Sequence, residues 1–105
     1  MDSSLKISFH NVPHSDAVES DIRDRVAKLE SFFAHIVGCR VVVEAPAKNL
    51  DGAAASFAVK IEIAVPGQDI VVKADPSPEL QSALAQSFDV AKRRLKTHAE
   101  KRRGA

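Results

Sequence analysis

The sequence predicts a two-layer α+β domain, a four-stranded sheet with two helices on one face, in the order β-α-β-β-β-α. Two patterns predict it. Four short segments either alternate apolar with polar residues or are rich in β-branched residues, and along two longer segments apolar residues recur every three or four positions. A helical crossover between parallel strands, followed by a meander, satisfies this order. With 105 residues, the chain is expected to form a single domain, 1–105, that buries its own core.

The first strand and the first helix are predicted near the N-terminus. Apolar and polar residues alternate over 5–9, which is typical of a half-buried strand. Ser15 or Asp16 can cap the helix that follows. Its apolar stripe advances in steps of three or four residues to about residue 34. The stripe consists of Val18, Ile22, Val26, Leu29 and Phe33.

Three more strands are predicted in the middle of the chain. Residues 36–45 are rich in β-branched side chains, which favours a central strand. Residues 45–56 are mostly small and are predicted to form a long loop. The clearest alternation covers 57–65, and the Pro-Gly turn at 66–69 predicts a hairpin with a fourth strand at 70–74.

The last helix is predicted to follow two prolines, with Ser77 between them as its cap. Its apolar stripe consists of Leu80, Leu84, Phe88, Ala91 and Leu95. The same face continues as His98 and Arg102, which an apolar sheet could not bury without a large desolvation cost. We therefore expect residues 96–105 to project as a basic helix end and tail. Residues 96–103 alone would reach roughly 12 Å at 1.5 Å per residue.

The charge of the chain is concentrated in the stretch KRRLKTHAEKRR, residues 92–103. This stretch holds seven Lys/Arg and one Glu, a net charge of +6, although the whole chain carries only +1. Residues 1–91 therefore carry −5. A basic block on a helix neutralises phosphates in fixed register, which indicates nucleic-acid binding. The basic residues of the block are Lys92, Arg93, Arg94, Lys96, Lys101, Arg102 and Arg103.

Other interpretations of the block remain open. Basic residues near a helix C-terminus also favour the helix dipole in a simple solvated end. A membrane-surface helix needs apolar anchors, and after Leu95 only Ala99 could serve. The chain has no Trp or Tyr, and each Phe has a plausible core position, so base stacking is not expected. Shape and backbone contacts to structured RNA are the more natural mode.

Arg25 and Lys28 form a second candidate set on one flank of the first helix. Asp21–Arg25 and Asp24–Lys28 are also i,i+4 pairs that would simply support the helix. The two basic residues gain a binding role if the helices lie side by side, because their flanks would then line one groove.

Catalytic chemistry finds little support in the sequence. The four histidines show no metal-ligand spacing with each other or with Cys39. No Gly-rich phosphate loop or Ser/His/Asp arrangement is visible. We expect no enzyme activity, cofactor, metal or small-molecule substrate. The N-terminus lacks a signal pattern, no apolar run reaches membrane-spanning length, and Cys39 has no partner for an internal disulfide, so a cytoplasmic protein is expected.

The order and spacing of these motifs resemble the ribosome hibernation-promoting factors, also called the ribosome-associated inhibitor or sigma-54 modulation family. The resemblance runs from LKISFHNVPHSDAV to the last helix. In the first helix it is carried by Ser15, Val18, Arg25, Lys28-Leu29-Glu30, Phe32-Phe33 and Ile36. In the last helix it is carried by Glu79, Leu80, Leu84, Asp89, Arg93, Leu95 and His98.

The resemblance implies a fold similar to double-stranded-RNA-binding domains and a place on the small ribosomal subunit, in its mRNA and tRNA channel. The partner would be rRNA, and occupation of the channel would silence ribosomes under stress. The family's RNA-contacting positions correspond to Arg25, Lys28, Arg93 and His98. A protein-interaction module that regulates a transcription factor, or a general structured-RNA binder, is the alternative.

The chain departs from the family pattern at several positions. The family's K-H-K motif is Thr97-His98-Ala99 here, and its aromatic in the last helix is Gln81. Residues 45–56 form a longer predicted loop than in short members. The end of the chain at residue 105 is expected to correspond to the short form of the family.

Overall fold

The computed structural model confirms the predicted order β-α-β-β-β-α. It describes residues 4–104, and the side chains of residues 5–46 and 48–101. The strands are β1 (Ser4–His10), β2 (Gly38–Lys48), β3 (Ala54–Val65) and β4 (Gln68–Lys73). The helices are α1 (Asp16–Phe32) and α2 (Leu80–Gly104).

The four strands form one mixed sheet in the order β1-β2-β3-β4. β1 runs parallel to β2 because α1 crosses over between them, and the remaining pairs are antiparallel. The register aligns Ile7, Val41, Ile61 and Val72 in one row across the sheet. Since side chains alternate between the faces of a strand, this row defines a single apolar face.

Both helices pack on this apolar face. Ile22 and Val26 of α1 and Leu84 of α2 are at most 2% exposed and belong to the same core as the sheet residues. Ser87 is fully buried among them, and its hydroxyl donates to the carbonyl of Val59 at 3.3 Å. The opposite face of the sheet carries mostly polar side chains, and no helix in the described part of the chain packs on it, so the domain has two layers.

The two helix starts differ in how well they were predicted. Ser15 is the N-cap of α1, as predicted, and its hydroxyl accepts the amide of Val18 at 3.3 Å. The prediction that Ser77 caps α2 is wrong. The backbone of Ser77 pairs with that of Phe57 in a β-bridge, and the first helical carbonyl is that of Glu79, which accepts the amide of Ala83 at 3.1 Å. The hydroxyl of Ser77 instead accepts a hydrogen bond from the amide of Glu79.

The predicted long loop over 45–56 is also wrong. β2 continues to Lys48 and β3 already begins at Ala54, so the turn is short. A hydrogen bond of 2.7 Å from the amide of Asn49 to the carbonyl of Ala53 closes this turn. Gly52 within the turn has a φ of 88°. Register shifts after Glu44 interrupt the alternation, and together with the small side chains they hide this strand pair from a pattern-based prediction.

Candidate nucleic-acid interface

The flanks of α1 and α2 line a common groove of about 240 Å³. This is the side-by-side placement under which the basic flank of α1 gains a binding role. The groove is lined by Arg25, Lys28, Leu29, Phe32, Ala85, Phe88, Asp89 and Lys92. Three of the predicted basic residues, from two helices distant in sequence, therefore meet at one surface.

The two basic residues of α1 differ in their partners. Arg25 donates through Nε to Asp21 at 3.2 Å, as the i,i+4 pattern predicts, and this bond leaves both terminal nitrogens of the guanidinium outside the contact. Lys28 is exposed, and the Asp24–Lys28 pair is absent from the ion pairs of the described side chains. Of the two groove cations of α1, Lys28 can therefore bind a phosphate without breaking an ion pair to a described side chain.

Lys92 supplies the cation from α2. It is exposed, and its Nζ lies 5.4 Å from the centroid of the Phe32 ring, within the range of a cation–π contact. Lys96 follows one turn later and is also exposed, but it lines the neighbouring pocket. The cations of α2 that face α1 therefore form a row along the helix.

Phe32 is the groove residue that the sequence interpretation missed. The expectation that each Phe lies in the core is wrong, because the Phe32 side chain is 67% exposed at the last residue of α1. Its neighbour Phe33 ends the apolar stripe and packs against the core. Phe32 is the last helical residue, whereas Phe33 is the C-cap with an extended backbone of φ −129° and ψ 92°, so the two rings point in different directions. The signal available in the sequence was that Phe32 lies outside the apolar stripe, which continues at Phe33.

Arg93 and Arg94 lie on other sides of α2. Arg93 forms an ion pair with Asp89 and lines a separate cavity with Lys73. Arg94 donates to the carbonyl of Val71 at 3.0 Å and so contacts the edge strand β4. Neither arginine lines the groove.

His98 is held at the end of the sheet rather than in the groove. Its Nδ1 lies 3.3 Å from Nε2 of Gln68, and its Nε2 is buried with no hydrogen-bond partner among the described residues. Ala99 beside it is half-buried, whereas Lys101 is exposed. α2 continues through Arg102 and Arg103, whose side chains lie outside the described ones.

A second and larger pocket adjoins the groove. It measures about 540 Å³, and its lining includes Phe32, Phe33, Ile36, Leu95 and Lys96. Because Phe32 lines both cavities, its ring stands between the basic groove and this mainly apolar pocket.

The described part of the chain has neither a metal-binding cluster nor a reactive thiol that could support catalysis. It contains no cluster of three or more His, Cys, Asp or Glu side chains that could hold a metal ion. Burial, followed by the nearby charge of Glu30, raises the pKa of the Cys39 thiol to about 12, so this thiol stays protonated at neutral pH. Neither helix, over its described residues, is long and apolar enough to cross a bilayer.

The layering, the strand order and the helix pair define a two-layer α+β domain with a four-stranded mixed sheet and two helices on one face. The chain belongs to the family described as Sigma 54 modulation protein / S30EA ribosomal protein, which matches residues 5–103. This agrees with the resemblance seen in the sequence.

Two solved structures have the same fold. The N-terminal domain of Protein Y from Thermus thermophilus is 18% identical with a TM-score of 0.74, over 91% of this chain and 98% of that chain. A ribosomal subunit interface protein from Coxiella burnetii is 12% identical with a TM-score of 0.77, over 92% of this chain and 98% of that chain. No curated protein sequence matches the chain.

Proposed function

We propose that this protein is a non-enzymatic, cytoplasmic translation inhibitor that binds rRNA of the small ribosomal subunit and occupies its mRNA and tRNA channel under stress. The observation that carries the proposal is the convergence of Arg25, Lys28 and Lys92 on one groove between the two helices. Family membership and the likeness to a ribosomal subunit interface protein support the same partner.

The proposed mechanism is occlusion. The groove cations replace counterions on the rRNA backbone, which favours binding without any covalent step. The sheet and the two helices then fill space that mRNA and tRNA would otherwise need. Within this proposal, residues 1–105 act as one domain, and the exposed side chains of Lys96 and Lys101 carry positive charge from the groove along α2 to further phosphates.

The sequence-predicted contacts divide into two groups under this proposal. Arg25, Lys28 and Lys92 act from the groove. Lys96 continues their row on the same side of α2. The other predicted residues act from other sides of α2 or from its end, so they would contact different parts of the rRNA. These residues are Arg93, Arg94, His98, Lys101, Arg102 and Arg103.

Co-sedimentation with separated ribosomal subunits tests the proposal. We expect the protein to pellet with the small subunit and to be displaced by mRNA with initiator tRNA. A Lys28→Glu/Lys92→Glu variant should stay in the supernatant. A Lys6→Glu/Lys73→Glu variant makes the same change of charge at exposed residues of the strands and should still pellet.

Each result has a definite meaning. If the groove variant pellets like the unaltered protein, the groove is not the ribosome-binding surface. If the protein pellets with neither subunit, or if mRNA and tRNA leave it bound, the channel-occlusion proposal is wrong.

A further inference from the structure

We propose that Phe32 is a stacking platform for an unpaired base of the bound RNA, so that the ligand includes a single-stranded or looped segment. This inference rests on the proposed function to the extent that the groove ligand is RNA. It goes beyond it by naming an aromatic contact and a conformation of the ligand.

The position of Phe32 is the first support. A side chain that is 67% exposed at the end of α1 contributes little to the core, which is already closed by Phe33 and Leu29. An exposed ring beside Lys28 and Lys92 lies where a nucleic acid would bring its bases once the phosphates meet the cations. Aromatic rings placed along a positively charged groove are the usual way proteins hold unpaired bases.

The surroundings of the ring are the second support. The Nζ of Lys92 lies over the ring of Phe32. From this position the ammonium group could also contact the phosphate of a nucleotide whose base stacks on the ring. Phe32 also lines the neighbouring pocket of about 540 Å³, within the range of pockets that hold small organic groups. A base on that side of the ring would meet apolar walls from Ile36 and Leu95, with Lys96 also in the lining.

The arrangement selects against a fully paired duplex. In an A-form helix the bases are stacked on each other and only their edges are accessible, so a side-chain ring cannot stack on them. An unpaired nucleotide in a loop, bulge or single strand can present its face to Phe32. The ligand class is therefore RNA with at least one unpaired base next to phosphates that the groove cations contact.

The test compares three short RNAs in fluorescence-anisotropy titrations: a single strand, the same strand with abasic sites, and a duplex. Phe32→Leu keeps an apolar side chain but removes the ring face. We expect it to weaken binding of the single strand by about 5- to 100-fold, as for the loss of one stacked base. Binding of the abasic strand should not change. Phe32→Tyr should bind like the unaltered protein.

Salt dependence separates this inference from the groove proposal. Loss of a stacked base should leave the slope of log affinity against log salt unchanged, whereas Lys28→Ala/Lys92→Ala should make this slope shallower. If the lysine variant loses affinity and Phe32→Leu does not, the stacking proposal is overturned and the groove proposal stands. If the unaltered protein binds none of the RNAs, and no ribosomal subunit, both fall.

A direct readout comes from Phe32→Trp. The chain has no Trp or Tyr, so this indole would be the only strong fluorophore. Stacking on a base should quench its emission with the single strand and much less with the abasic strand. Equal responses to the two strands would contradict the proposal. Because Phe32 is largely exposed, the thermal unfolding of all three variants should match that of the unaltered protein.

Discussion

The groove makes a quantitative prediction about salt. Arg25, Lys28 and Lys92 line it and Lys96 follows on the same side of α2, so up to four cations can replace counterions on RNA. With about 0.7 counterions released per phosphate of a single strand, these four cations should contribute about −2.8 to the slope of log affinity against log salt. Lys28→Ala/Lys92→Ala should make this slope less negative by about 1.4.

The difference is large enough to measure. Between about 100 and 400 mM KCl, the four cations should account for about a 50-fold loss of affinity for the small subunit, and the two that remain in the double variant for only about a 7-fold loss. Quantitative co-sedimentation at several KCl concentrations and constant Mg²⁺ gives both slopes. The double variant should also bind more weakly at the low-salt end, where counterion release contributes most.

A matched control distinguishes local contacts from a general effect of charge. Lys6→Ala/Lys73→Ala removes the same charge from exposed residues of β1 and β4 and should keep the slope of the unaltered protein. Equal slopes of log affinity against log salt for Lys28→Ala/Lys92→Ala and the unaltered protein would refute the reasoning, because the groove lysines would then release no counterions on binding. A reduced slope for the control as well would mean that net charge, rather than the groove, governs binding.

Three further predictions concern the fold. Leu84→Ala should lower the free energy of unfolding by about 3–5 kcal/mol in urea titrations, because Leu84 is fully buried between α2 and the sheet; a loss below about 1 kcal/mol would contradict this packing. Ser15→Ala should cost about 1 kcal/mol in the same titration by removing the cap of α1, whereas Ser15→Asp should retain most of it. The thiol of Cys39, whose pKa rises from 9.0 to about 12 on folding, should make stability fall above pH 9, where only the unfolded state loses the proton. The loss should approach about 1.4 kcal/mol per pH unit, and in Cys39→Ala this part of the pH dependence should vanish; an unchanged slope would mean that other groups cause it.

The sequence was sufficient for the element order because each element carries its own periodicity. Val18, Ile22 and Val26 repeat at helical spacing, and the core positions of β3 alternate strictly. These patterns depend only on which side of an element is buried. They fail where local composition is ambiguous, as in the small residues around Gly52, where hydrogen bonds between β2 and β3 create strand structure that composition alone does not favour.

The candidate site shows the same division. The basic residues could be found from charge and spacing, because each is a property of one helix. Which of them share one surface could not be predicted from the sequence. Lys92, Arg93 and Arg94 are consecutive in sequence, yet one lines the groove, one pairs with Asp89 and one contacts the carbonyl of Val71. Successive helical residues point about 100° apart, so the orientation of α2 on the sheet decides which of them can act together.

The sequence by itself determined the fold class, the family, the buried faces and the supply of basic side chains, because these follow from patterns within single elements. Only the tertiary structure decided that α1 and α2 share a groove, that Lys28 lies there without an acidic partner among the described side chains, and that Phe32 is exposed between groove and pocket. These features depend on how two helices far apart in the chain pack on one sheet. That packing is a balance of many weak contacts across the whole core, which no single segment encodes.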